Sequence, residues 1–136
     1  MNRKLEQILL DKKDSDAFLG IIASRFMGTY VVNMETDIAR IIYKPVYFYN
    51  ILEKNNYHFI PSMQDYVCNY VSNEWQKDFM DFLDYSAVKR RFELQKVIKF
   101  YYSKKDGTKI VLRIYPVRDY DPDNSESIWL FEKDSD

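Results

Sequence analysis

Two residue types with catalytic potential occur once each in the chain, as His58 and Cys68. A cysteine nucleophile needs an imidazole within hydrogen-bond reach to activate it, and nothing in this spacing compels that contact. Cys68 is therefore interpreted as a small buried hydrophobic residue. His58 follows the polar residues Asn55 and Asn56 in a connection between predicted helices, which favours a surface or capping role. The residues predict no nucleophilic enzyme.

Metal and phosphate sites find little support. A single cysteine allows neither an internal disulfide nor a cysteine-based zinc site. Residues 119–124, DYDPDN, alternate acidic side chains as a calcium loop does, but the EF-hand pattern would place glycine and glutamate where the chain has Asn124 and Leu130. A solvated loop is the favoured interpretation. Three scattered glycines form no phosphate-cradling loop, so we predict no cofactor.

Length and composition indicate one folded domain. The chain has 136 residues, 46% of them hydrophobic, which suits a single domain with a real core. Aromatic residues are abundant, with 12 Tyr, 9 Phe and 2 Trp. The favoured interpretation is a thick aromatic core, and the alternatives are a ring-lined pocket or a dimer face.

Charge excludes more functions than it suggests. Twenty basic and 21 acidic residues are interspersed, whereas nucleic-acid binding needs a concentrated basic face. The densest basic cluster, residues 89–91, is flanked by Asp84 and Glu93 and reads as a solvated helix face. No apolar run approaches the roughly 20 residues that span a bilayer, and the start is too charged for a signal peptide. We predict a cytoplasmic protein without a nucleic-acid partner or a membrane span.

The N-terminal region carries apolar side chains at helical spacing. They are Leu5, Ile8, Leu9, Phe18, Ile21, Ile22 and Phe26. The spacing predicts helices over residues 3–11 and 17–27, the second stopped by Gly28. This stripe can pack on the chain's own sheet or pair with a second copy, and we favour a homodimer.

The remaining elements are strands and short helices. Residues 29–34 and 38–43 form a predicted hairpin around the turn Glu35-Thr36-Asp37. Helices follow over 46–54, 63–71 and 73–83, with Pro61 as a break and Ser62 and Ser72 as caps, and Ser86 opens another. Residues 95–103 and 109–117 alternate as strands around an Asp-Gly turn, and a last strand covers 128–132. This order predicts an α+β fold with a five-stranded antiparallel sheet.

That order resembles a PAS domain, and three segments carry the resemblance. Residues 27–37, MGTYVVNMETD, are similar to the opening hairpin of PAS-like domains in Gram-positive bacterial sensors. Residues 70–76, YVSNEWQ, resemble the helix start V-H-P-E-D of many members, with Ser72 and Asn73 in place of His and Pro. The hairpin over 105–115 resembles the family's long central strands.

The resemblance implies a curved sheet with helices over one face, a hydrophobic cleft between them and a flanking N-terminal helix. Residues 1–16 would be that helix and 17–133 the PAS-like domain. The implied function is a sensory module of a bacterial signal-transduction protein, which binds a small ligand and regulates an output domain such as a diguanylate cyclase or histidine kinase. The alternative is a ligand-free dimerisation or interaction module.

Strand alternation provides candidate lining residues for that cleft. They are Tyr30, Val32, Ile41, Tyr66, Phe100, Leu112 and Arg113. Arg113 could hold a ligand carboxylate or form a salt bridge with a nearby acid. Flavin-binding relatives carry a motif like N-C-R-F-L-Q, which the sequence around Cys68 lacks. A haem would need His58 as its axial ligand, and a surface position is favoured.

Overall fold

A computed structural model of the chain describes residues 26–43, 46–117, 120–121, 123 and 125–134. The predicted flanking helix over 1–16, and the predicted helix over 17–27 up to residue 25, lie outside these ranges. The strands are β1 Phe26–Asn33, β2 Ala39–Tyr43, β3 Ile98–Ser103, β4 Lys109–Pro116 and β5 Glu126–Lys133. The helices between β2 and β3 are α1 Val46–Lys54, α2 Phe59–Tyr70, α3 Asn73–Phe82 and α4 Tyr85–Phe92.

The described strands form one antiparallel sheet in the order β2-β1-β5-β4-β3. The last strand lies at the centre, where Trp129 is opposite Tyr30 of β1 and Ile114 of β4. The predicted α+β class and five-stranded antiparallel sheet are therefore confirmed. The sheet is compatible with the topology that the PAS resemblance implies.

Alternate strand residues face the helices, because successive side chains of a strand point to opposite faces. The inward residues of β3 and β4 are every second residue, in agreement with the predicted alternation. They are Ile98, Phe100, Tyr102, Ile110, Leu112 and Ile114. Apolar residues of all four described helices complete the same core.

Aromatic rings fill much of this interior. The rings of Phe59 and Trp129 meet edge to face with centroids 4.9 Å apart, as do those of Phe79 and Tyr102. The hydroxyls of Tyr66 and Tyr102 are 2.7 Å apart in a buried hydrogen bond, so the polar ends of these rings are satisfied within the core. The predicted thick aromatic core is what the structure contains.

Helix α2 begins earlier than predicted. Pro61 was expected to break the helix and Ser62 to cap the next one, but the helix starts at Phe59. Proline is tolerated in a first helical turn because its missing N–H would have no intrahelical partner there. The hydroxyl of Ser62 donates back to the carbonyl of His58 at 2.7 Å and caps nothing.

The predicted cap of α3 and the predicted start of α4 are also corrected. Ser72 occupies the N-cap position of α3, but its hydroxyl donates to the carbonyl of Ser103 at the end of β3. Helix α4 is capped by Asp84, whose carboxylate accepts hydrogen bonds from the backbone N–H groups of Ser86 and Ala87. A carboxylate at this position also interacts favourably with the helix dipole.

Gly28 does not stop a helix, because Phe26 and Met27 already belong to β1. The strand register shifts between Phe26 and Gly28, and Gly28 is buried. A Cβ atom on Gly28 would lie 2.6 Å from the hydroxyl oxygen of Tyr30. The glycine is therefore required by the close approach of the Tyr30 ring.

Candidate functional site

Four of the predicted lining residues lie in the middle of the core. Tyr30, Val32, Tyr66 and Leu112 are all buried. The Tyr30 ring packs against Phe59 and Phe131, with centroids 6.2 and 5.9 Å away. These side chains pack against one another and their neighbours, so the structure places them in a filled interior.

The other three predicted lining residues are dispersed. Ile41 is partly buried on β2, opposite Tyr30. Arg113 follows Leu112 in β4 and points to the opposite face of the sheet, so both cannot line one cleft. Arg113 forms an ion pair with the buried carboxylate of Glu132, which is the alternative role considered for it. Phe100 lies at the margin of the core.

Phe100 instead helps to line a cleft of about 360 Å³ at the sheet edge, which we call the edge cleft. It lies where the C-terminal parts of α3 and α4 meet β3 and the segment that leads into it. Its lining residues are Asp78, Asp81, Phe82, Arg91, Gln95, Ile98, Lys99 and Phe100. A cleft of this volume is within the range that small-molecule sites occupy.

The apolar part of the edge cleft is formed by stacked rings. Phe82 and Phe100 lie 4.7 Å apart with an interplanar angle of 23°. Phe79 and Trp75 contact the other parts of Phe100 edge to face, at 5.2 and 6.1 Å. The buried Ile98 completes this part. Such a surface can hold the apolar or aromatic portion of a ligand.

The charged part combines two cations and two carboxylates. The guanidinium of Arg91 lies 5.0 Å from the centroid of the Phe82 ring, in a cation–π contact. Lys99 provides a second cation, and Asp78 and Asp81 are the acids. Asp81 accepts a hydrogen bond from Lys77 at 3.0 Å, which raises the pKa of that lysine.

The acidic turn Glu35-Thr36-Asp37 holds α4 from another direction. The carboxylate of Glu35 accepts hydrogen bonds from Lys89, at 2.5 Å, and from the Ser125 hydroxyl, at 2.9 Å. The hydrogen bond from Lys89 is the main reason that the pKa of Glu35 is lowered. Tyr85 donates to Asp37, and burial, followed by this hydrogen bond, raises the pKa of the Tyr85 phenol. Helix α4 therefore contacts the turn at two residues one helical turn apart.

His58 and Cys68 do not form a nucleophilic pair. Both lie along α2, where their ten-residue separation corresponds to about 15 Å. His58 is at the N-cap position and is exposed, which agrees with the predicted surface role, but its side chain makes no capping hydrogen bond. Its Nδ1 atom lies 3.8 Å from an Asp37 oxygen. Cys68 is exposed, so its predicted burial is wrong.

Sequence reasoning missed all of the charged residues in the edge cleft. The basic run at 89–91 was interpreted as one solvated face, although a helix turns by about 100° per residue and separates its members. Lys89 contacts the acidic turn, Arg90 is exposed and Arg91 lies over Phe82. The sequence signal that pointed to this region is the helical spacing of Trp75, Phe79 and Phe82 in α3.

Comparison with protein-family models, curated proteins and solved structures finds no match to the chain. Within the described ranges, no three histidine, cysteine or acidic side chains are arranged to hold a metal ion. None of the described helices combines the length and apolar character that crossing a membrane requires.

Proposed function

We propose that the chain is a PAS-like regulatory module that senses a small organic carboxylate in the edge cleft. The observation that carries this proposal is the position of Arg91 over the ring of Phe82, which itself stacks on Phe100. A guanidinium binds a carboxylate through two parallel hydrogen bonds, and the rings offer an apolar surface beside it. This combination suits a ligand with one carboxylate and one flat apolar group.

Lys99 adds to the preference for an anion, while the two acids oppose it. Asp81 is paired with Lys77, so it repels an incoming carboxylate less than an unpaired acid would. Asp78 remains a negative charge on the α3 side of the cleft. The proposed carboxylate therefore lies toward Arg91 and Lys99, and the apolar group lies against Phe100.

The module would transmit binding through α4. Its last turn carries Arg91, and its first and middle turns contact Asp37 and Glu35 through Tyr85 and Lys89. A ligand that binds one position of α4 more tightly than another shifts the population between them. The resemblance to bacterial sensors makes an output domain, such as a diguanylate cyclase or histidine kinase, the proposed recipient of this shift.

A titration followed by amide NMR tests the ligand class. We expect benzoate, at about 1 mM, to shift the amide signals around Arg91, Lys99 and Phe100. Benzamide has the same ring without the charge and should shift them far less. Arg91→Gln should weaken benzoate binding by roughly tenfold or more, the loss expected for a charge-assisted hydrogen bond. Arg90→Gln, on the exposed side of the same helix, is the matched control.

A second candidate function is a ligand-free interaction module, and the filled aromatic core favours it. The rings of Phe59, Phe79 and Trp129 occupy the space where a buried ligand would otherwise bind. If benzoate and other carboxylates leave the edge-cleft amides unshifted while the protein dimerises, this second function replaces the first.

A further inference from the structure

The edge cleft carries charges of both signs that do not pair with one another. Arg91 and Lys99 are its cations, and Asp78 and Asp81 are its acids. Among the ion pairs of the described residues, none joins a cation of the cleft to an acid of the cleft. Opposite charges that border one cleft and remain apart can both be satisfied by a small ligand that itself carries both charges.

The two acids of the cleft differ in their partners. Asp81 is bound by Lys77, one helical turn earlier in α3, at 3.0 Å. The carboxylate of Asp78 forms neither an ion pair nor a hydrogen bond with another described residue. Asp78 lies four residues before Phe82 and therefore on the same face of α3 as that ring. It is the acid of the cleft that is available to a cationic group.

The backbone of Lys99 adds a donor and an acceptor to the cleft. Strand β3 is at the edge of the sheet, and successive backbone groups of a strand point alternately to its two sides. The N–H of Lys104 donates to Thr108 on the β4 side, while the carbonyl of Ser103 accepts from Ser72 on the other side. By this alternation the N–H and carbonyl of Lys99 point to the free edge, as those of Ser103 do.

We infer that the ligand of the edge cleft is an amino acid with an aromatic side chain. The inference rests on the proposed function, since the carboxylate still lies toward Arg91 and Lys99 and the ring against Phe100. The new element is an ammonium group, which donates hydrogen bonds to Asp78 and to the carbonyl of Lys99. Asp78 repels a simple carboxylate but attracts an ammonium group. One carbon atom separates the two charges of an amino acid, so both sets of partners must border the same cleft, as they do here.

An amide NMR titration of the full chain compares phenylalanine with 3-phenylpropanoate, which has the same ring and carboxylate and lacks the ammonium group. We expect phenylalanine to bind roughly tenfold more tightly, the gain expected for a charge-assisted hydrogen bond. Binding of phenylalanine that is no tighter than that of 3-phenylpropanoate would overturn the inference and leave the proposed carboxylate site in place. If neither compound shifts the amide signals around Arg91 and Phe100, the proposed function fails as well.

Asp78→Asn should affect the two compounds in different ways. The substitution should weaken phenylalanine binding by roughly tenfold, because it removes the partner of the ammonium group. It should leave the affinity for 3-phenylpropanoate unchanged or raise it, because a repulsive charge is removed. Asp134→Asn, the same substitution at an exposed position outside the cleft, is the matched control. Equal weakening of both compounds by Asp78→Asn would show that Asp78 maintains the cleft and holds no ammonium group, which would overturn the inference.

Discussion

The phenol of Tyr85 donates a hydrogen bond to the carboxylate of Asp37, 48 residues earlier in the chain. The same carboxylate accepts from the backbone N–H of Ile60, and the carbonyl of Asp37 accepts from that of Phe59. Asp37 has a φ of 66°, a conformation that aspartate tolerates better than most residues. One residue of the β1–β2 turn therefore fixes the beginnings of both α2 and α4.

Asp37→Asn should lower the free energy of unfolding by about 1–2 kcal/mol. Asparagine also tolerates a positive φ, so the substitution removes the charge and keeps the backbone. The neutral amide is a weaker acceptor for Ile60 and Tyr85. Urea denaturation measures the change, and Asp134→Asn, at an exposed position after β5, is the matched control. An effect no larger than that of the control would contradict the capping role.

Tyr85→Phe should cost about 1 kcal/mol, since the ring keeps its packing and loses the hydrogen bond to Asp37. The double variant with Asp37→Asn distinguishes this bond from general effects. We expect the two costs to be less than additive, because both substitutions remove the same interaction. Tyr101→Phe, on the exposed margin of the sheet, serves as the control. Strict additivity would show that the two residues act independently.

The periodic parts of the fold could be predicted from the sequence. Helix α1 runs over Val46–Lys54 as predicted, and β3 and β4 alternate as predicted. Local periodicity is sufficient in these cases because burial itself repeats every 2 or 3.6 residues. The start of α2 depended on other information. Asp37 caps α2 from 23 residues away, and no local pattern near Pro61 indicates it.

The candidate site was harder to predict for a related reason. Alternation assigns Leu112 and Arg113 to opposite faces, but it cannot say which face a ligand would contact. The edge cleft joins α3, α4 and β3, whose relative positions are set by tertiary packing. Only Phe100, which the strand pattern directs inward, is common to the predicted set and the cleft.

Glu35→Gln should reduce the sensitivity of folding to acid. The folded-state pKa of Glu35 lies below its ordinary value of 4.5, chiefly because of the hydrogen bond from Lys89. Its ionised form therefore stabilises the fold fully above 4.5, and this contribution is lost as the pH falls through the folded-state pKa. Thermal unfolding from pH 6 to about pH 3 should show a shallower decline in the variant than in the wild type.

Glu53→Gln, the same substitution at an exposed position in α1, is the matched control. Glu35 is itself partly exposed, so added salt should weaken its pairing with Lys89 and reduce the difference between variant and wild type. Identical pH profiles for Glu35→Gln and the wild type would show that this pairing does not stabilise the fold.

Gly28→Ala should destabilise the protein by about 1–3 kcal/mol, as overpacking does. The added methyl group would meet the hydroxyl and ring of Tyr30, a side chain that is 2% exposed and has little room to move. Gly107→Ala tests the contrast: its Cβ has open space, but its φ of 92° disfavours alanine. Tyr30→Phe removes the hydroxyl group. Adding it should restore part of the stability lost in Gly28→Ala and none of the stability lost in Gly107→Ala.

Ligand binding in the edge cleft should change the amide environment of the acidic turn, because α4 contacts both the cleft and the turn. In the wild type we expect benzoate to shift the amide signals of Glu35 and Asp37 as well as those beside Arg91. Tyr85→Phe combined with Lys89→Gln removes both side-chain contacts of α4 with the turn. Benzoate should still shift the signals of Lys99 and Phe100 in that variant, while the shifts at Glu35 and Asp37 fall to the level of distant residues. Persisting turn shifts would mean that α4 is not the route, and a loss of all shifts would mean that the contacts maintain the cleft itself.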